Sequence, residues 1–251
     1  MPKLAEPNAA GARGTPTIIE GVSERLQAVR GRIAAAAVAA GRPATDVRLI
    51  AVSKTFPADV LRAAYVAGQR DFGENYVQEA IDKRAQLDDL DICWHFIGPL
   101  QSNKTRSIAT SFDWVHSGDR GKIAERLSAQ RPPELPPLQV CIQVNLGGEA
   151  TKSGAPPEAV PDLARAILTL PRLRLRGLMA IPEPTDDVQH QRERFGALRR
   201  LLDALGLRAQ GVDMLSMGMS DDLESAIAEG ATLVRVGRAV FGNRQAAIDT
   251  A

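Results

Sequence analysis

Hydrophobic positions along this chain follow two alternating patterns, one at helical spacing and one as short continuous runs. The first helical pattern covers residues 18–40 and stops at Gly41, with Pro43 behind it, as a helix end requires. Strand-like runs then fall near 47–53, 70–72, 93–97, 112–115, 138–144, 174–179, 212–216 and 232–236. Between them, helical patterns fall near 57–67, 75–87, 119–129, 157–169, 187–205 and 221–229. Eight strands alternating with helices predict an α/β protein built as a single (β/α)8 TIM-type barrel. A doubly wound open sheet competes with it, but no GxGxxG follows the first strand. The proline-rich stretch 131–137 reads as a rigid loop feeding the fifth strand, because the alternation continues on both sides of it.

Composition narrows the class. With 251 residues, 44% of them hydrophobic, and a formal charge of +1, the chain can bury one large core and carries no basic footprint for nucleic acid. It holds no apolar run of membrane-spanning length. Residues 1–17, rich in Ala, Gly and Pro, lack the apolar centre of a signal peptide and read as a flexible N-terminal tail. The barrel is expected over 18–244, with a C-terminal tail at 245–251. Cys93 and Cys141 sit in apolar runs far from any metal-ligand spacing, so they read as buried reduced thiols of a cytoplasmic protein.

The barrel gives each strand end a chemical meaning, because sites in this architecture lie at the C-terminal face. Lys54 ends the run VRLIAVS, where the first strand opens to ligand. An amine at an apolar mouth is partly desolvated, which lowers its pKa and favours attack on an aldehyde; the plain alternative is a lysine that snorkels to solvent. After strand seven comes Ser216-Met217-Gly218-Met219-Ser220-Asp221-Asp222, and after strand eight comes Arg235-Val236-Gly237-Arg238. Glycines there let backbone amides approach an anion, and the arginines supply charge. Asp221 has its own structural reading as a helix N-cap, and Gly242 as a helix stop. A Schiff-base lysine together with a phosphate cradle describes a ligand that carries both an aldehyde and a phosphate, and pyridoxal 5′-phosphate (PLP) fits.

Four long blocks then carry a resemblance: AVSKTFPADVLRAAYVAGQRDFGENYVQEA, WHFIGPLQSNKTR, LRLRGLMAIP and LSMGMSDDLESAIAEGATLVRVGRAVFG. In this order, over about residues 18–244, they resemble the pyridoxal phosphate homeostasis protein family. The resemblance implies a barrel similar to the N-terminal domain of alanine racemase, PLP held as a Schiff base, and no established catalytic reaction. It places Lys54 at the PLP lysine, Asn75, Met179 and Ser216 around the cofactor, and Arg235 and Gly237 at its phosphate end. One departure stands at Arg238, where the family commonly carries threonine or serine. The amide survives there; the guanidinium either takes over the hydroxyl's place or turns outward, and the tight loop after glycine favours outward. The C-terminal Gly242-Asn243-Arg244-Gln245 also lacks the family's arginine–aspartate–tyrosine ending.

Other chemically loaded residues keep structural readings beside functional ones. His95 alternates with apolar neighbours and points either into the barrel or into a satisfied core; His116 and His190 share no ligand spacing with it, so no metal site is expected. Glu74 and Glu79 flank a helix start and suit its dipole. Lys104 and Arg106 suit a solvated face, while Lys152 follows strand five and is within range of the mouth. Two functions of different kinds remain. One is a PLP carrier in vitamin B6 homeostasis, acting as a monomer that hands the cofactor to PLP-dependent apoenzymes. The other is a single-domain amino-acid racemase, for which the expected second-domain tyrosine is missing: only Tyr65 and Tyr76 exist, both in helical patterns. A Schiff-base aldolase of a phosphorylated sugar shares the fold and the lysine but not the blocks.

Overall fold

The computed structural model describes residues 15–147 and 153–242. A leading helix α1 (Thr15–Ala39) precedes β1 (Arg48–Val52), and strands then alternate with helices. The order is α2 (Ala58–Val66), β2 (Asp71–Glu74), α3 (Val77–Gln86), β3 (Cys93–Phe96), α4 (Thr105–Ser111), β4 (Trp114–Gly118), α5 (Gly121–Gln130) and β5 (Leu138–Gln143). There follow α6 (Val160–Leu168), β6 (Leu173–Met179), α7 (Val188–Ala204), β7 (Met214–Ser216), α8 (Leu223–Ala228), β8 (Leu233–Val236) and the short α9 (Arg238–Phe241). All neighbouring strands pair in parallel, and β8 returns to β1 through pairs such as Ile50 with Arg235, so the barrel closes.

Several boundaries differ from the sequence pattern. Helix α1 starts at Thr15, three residues before the apolar periodicity begins. Helix α4 occupies a stretch without a helical pattern of its own; only Ile108, Ala109 and Thr105 are buried on it. Strand β4 runs on to Gly118, which brings His116 inside the sheet.

Period-two alternation sorts strand residues between two cores. Outward-facing positions such as Leu49, Ala51, Phe72 and Val234 pack with the helices into one continuous shell. Inward-facing Ile50, Trp114, Cys141, Met179 and Leu233 form a second, much smaller cluster inside the barrel. The remaining inward positions are largely polar: His95, His116, Ser216 and Arg235 are all buried there. Helix α1 seals the outside. Its Arg25 Nε donates to the Val240 carbonyl at 2.8 Å, Arg30 Nη1 to the Ala67 carbonyl at 2.9 Å, and Arg32 Nε pairs with Glu224 at 2.7 Å. No helix among the described residues is long and apolar enough to cross a membrane.

Candidate functional site

Strand β1 delivers Lys54 to the barrel mouth through a tightly held turn. The Ser53 carbonyl accepts from Phe56 N at 3.1 Å and from Lys83 Nζ at 2.8 Å. Thr55 sits at φ 70°, a conformation rare for a β-branched residue, and its amide donates to Glu79 Oε1 at 2.5 Å. Lys83, buried on α3, joins these contacts: its Nζ lies 2.5 Å from Glu79 Oε1 and 2.7 Å from Glu74 Oε1, which also accepts from the Ser53 hydroxyl at 2.7 Å. Glu74 Oε2 is buried without a hydrogen bond, and burial raises the Glu74 pKa against the pull of Lys83. Glu74 and Glu79, read from sequence as helix-start acids, therefore hold the segment on both sides of Lys54.

Lys54 lines a cavity of about 630 Å³ at the C-terminal face, within the range of small-ligand sites. Asn75, Arg235, Gly237 and Arg238 line the same cavity, with Phe56 and Ile97 as apolar walls. Asn75 Oδ1 is buried with no hydrogen-bond partner in the protein, a polar atom left for a ligand. At Gly237 a Cβ would meet the Val52 carbonyl oxygen at 3.2 Å, a tight contact that glycine avoids. Gly218 adopts φ +93°, and its carbonyl accepts from Arg235 N at 2.9 Å. The Ser220 hydroxyl accepts from Ala239 N at 3.4 Å, tying the loop after β7 to the start of α9.

The sequence-derived residues occupy two levels. Lys54, Asn75, Gly237 and Arg238 stand at the cavity, whereas Met179 and Ser216 lie beneath it, fully buried in the barrel interior. Arg235 joins the levels. Its guanidinium is buried, donating from Nη1 to Ser216 Oγ at 2.6 Å and from Nη2 to the Ala180 carbonyl at 3.0 Å. Burial lowers its pKa to about 10, which leaves it charged at neutral pH. Arg238 points outward and pairs with Asp221 at the rim, both side chains well exposed. Asp221 is thus an ion-pair partner and not a cap; the residue preceding α8 is Asp222, whose Oδ1 accepts from Met219 N at 2.6 Å. Gly242 ends α9 at φ +87°. Lys152 and residues 243–251 lie outside the described residues.

Below Arg235 lies a set of contacts that sequence reasoning missed. His116 Nδ1 is 2.8 Å from Ser216 Oγ, His116 Nε2 is 2.9 Å from His95 Nδ1, and His95 Nε2 is 2.9 Å from Asp71 Oδ1. Burial lowers both histidine pKa values, and His116 is held well below the usual range. Asp71, Cys93 and His95 also present donor atoms within 4.8 Å of one another, a grouping that the spacing of the three histidines does not show. Cys141 is buried as expected, its thiol pushed up to about 12, whereas Cys93 is only half-buried. The missed signal was alternation: residues 93, 95, 114 and 116 share the inward phase of adjacent strands once β4 is allowed to reach His116.

Comparison with known proteins follows the same outline. The sequence matches the family described as alanine racemase, N-terminal domain, over residues 25–245. It is 61% identical over 223 residues to a pyridoxal phosphate homeostasis protein of Pseudomonas aeruginosa, covering 89% of this chain and 96% of that one. Among solved structures it resembles PipY of Synechococcus elongatus with PLP bound, at 40% identity and a TM-score of 0.78, covering 88% of this chain and all of that one. Alanine racemase of Corynebacterium glutamicum shares the fold at 18% identity and a TM-score of 0.65, with 92% of this chain aligned to 63% of that one.

Proposed function

This chain belongs to the family of pyridoxal phosphate homeostasis proteins, and from that premise we propose that it binds PLP reversibly at the Lys54 cavity as a carrier of the cofactor. One observation carries the reading: Lys54, the unpartnered Asn75 oxygen, the buried Arg235 and the close-approach glycine at 237 all face one cavity sized for a single cofactor. PLP supplies an aldehyde open to a primary amine and a phosphate dianion. Lys54 would hold PLP through its amine, which would condense with the aldehyde with loss of one water and release it again on hydrolysis. The backbone at Gly237 and Arg238 would hold the phosphate, and Arg235 supplies fixed positive charge at the cavity floor.

Binding is favoured over turnover by what lines the cavity. Racemisation needs two groups able to move a proton on opposite faces of the cofactor. Among the described lining residues, Asp221 is the only titratable group besides Lys54 and the two arginines, and it is already paired with Arg238. Tyr65 lies on α2 beneath the Arg70 guanidinium, 3.8 Å from the ring centroid, and Tyr76 precedes α3 with its side chain exposed. Neither lines the cavity. The reading is of a protein that holds PLP without transforming it, and we propose with it a cytoplasmic monomer that passes the cofactor to apoenzymes. Titration with PLP tests it: the wild type develops a visible band of bound cofactor, Lys54→Ala does not, and loaded protein given single L-amino acids yields no D-isomer. Sustained D-isomer formation would instead establish the racemase.

A further inference from the structure

We propose that Asp71, His95, His116 and Ser216 form a one-directional hydrogen-bond relay through the barrel interior that positions Arg235 at the cavity floor. The direction follows from its two ends. Arg235 can only donate, and ionised Asp71 can only accept. Because Asp71 Oδ1 lies 2.9 Å from His95 Nε2, that nitrogen must carry the hydrogen, which leaves His95 Nδ1 as a lone pair. His116 Nε2, 2.9 Å away, must then donate to it, so His116 Nδ1 is the acceptor facing Ser216. The Ser216 hydroxyl fills that acceptor and receives Arg235 Nη1 on its own oxygen. Each of the four links then joins one donor to one acceptor.

The opposite assignment sets the His95 lone pair against a carboxylate and leaves the Ser216 hydroxyl hydrogen with no acceptor along the line. An imidazolium at either histidine would add a second cation to an interior that already holds Arg235. Full burial of both histidines supports the neutral form, since it penalises the charged ring. Trp114 stacks on His95 at 5.5 Å between centroids, and Cys93 Sγ lies 3.4 Å from His95 Nε2. Arg48 Nη1, 3.4 Å from Asp71 Oδ1 at the other end, helps keep that carboxylate ionised. The Asp71 carboxylate, at the start of β2, engages His95 and Arg48, neither of which lines the cavity, and its hydrogen-bonded path to Arg235 is the relay. Asp71, His95 and His116 are thus positioning residues. Their effect on PLP rests on the functional reading above, but the relay itself does not.

Long-range 1H–15N correlation on ligand-free protein labelled at the histidine nitrogens tests the direction, with His95→Gln and His116→Gln giving the assignments. At neutral pH both rings are expected neutral with the hydrogen on Nε2. A hydrogen on Nδ1 of either ring, or an imidazolium, overturns the relay. Coupling to the cavity is read in Asp71→Ala and Asp71→Asn, each first shown to be folded. Asp71→Ala is expected to mix the His95 tautomers, shift the visible band of bound PLP and weaken PLP several-fold. Asp71→Asn, which keeps an acceptor oxygen, is expected to restore most of both. An unchanged band and affinity in folded Asp71→Ala overturns the positioning role. A wild type that takes up no PLP would defeat the functional reading alone, and the tautomers would still decide the relay.

Discussion

Gly237 is a lining position where one added carbon would crowd the end of β1. Its Cβ would press on the Val52 carbonyl and side chain at 3.2 and 3.3 Å, pushing the loop after β8 toward the ligand. Gly237→Val is expected to weaken PLP about tenfold, or about 1.4 kcal/mol, and pyridoxal less, because only PLP carries the phosphate this loop meets. Isothermal titration with both ligands measures the difference. Arg238, its neighbour, carries the opposite expectation. Its guanidinium is engaged with Asp221 in an exposed pair worth about 0–1 kcal/mol, so Arg238→Thr should leave PLP affinity unchanged or slightly higher, with no salt-dependent loss. The buried histidines make a prediction about stability. Both have folded-state pKa values depressed by burial, so they contribute stability that is present above the unfolded value of about 6.5 and is lost as pH falls toward the folded values. Within that window each buried histidine adds a slope of at most about 1.4 kcal/mol per pH unit. Urea unfolding of His116→Phe across this range should be visibly less pH-dependent than that of the wild type.

At the scale of elements, a buried charge cluster ties helix α3 to the end of strand β1. Lys83 satisfies Glu74, Glu79 and the Ser53 carbonyl together, and Glu79 holds Thr55 in its left-handed conformation. Lys83→Met leaves Glu74 buried without its cation and should destabilise the fold by about 3–5 kcal/mol. Adding Glu74→Gln, which removes the orphaned charge, should recover part of that loss in denaturant midpoint. Little of this was legible in the sequence. Glu79 and Lys83 stand four apart, a spacing shared by countless solvated helix pairs, and only the β1–α2 turn above them makes the pair an interior one. Lys54 was legible because a continuous apolar run ends there, and the glycines after β7 and β8 because each strand end of a barrel faces the site. Arg235 and Ser216 were found as residues, but their placement below the cavity needed the register between Ile50 and Arg235. Helix α4 was not read, since seven residues with three buried positions carry too little periodicity to stand out.

For the whole molecule, eight-fold alternation was enough to predict the barrel, because two-sided burial makes parallel strands read as apolar runs. What alternation cannot display is the inside of the barrel, where residues from different strands meet only after closure. Its small apolar cluster and its polar line from Asp71 to Arg235 together draw on all eight strands. The interior thus supports the mouth, and the mouth carries the chemistry proposed for the molecule: one amine that takes an aldehyde and gives it back. The most direct measurement of that claim is borohydride reduction of the PLP-loaded protein followed by peptide mapping. The expected result is loss of the visible band and a single stable adduct on the peptide that contains Lys54, absent from Lys54→Ala. An adduct on another lysine with Lys54 unmodified, or a reduced protein that carries no adduct at all, would contradict it.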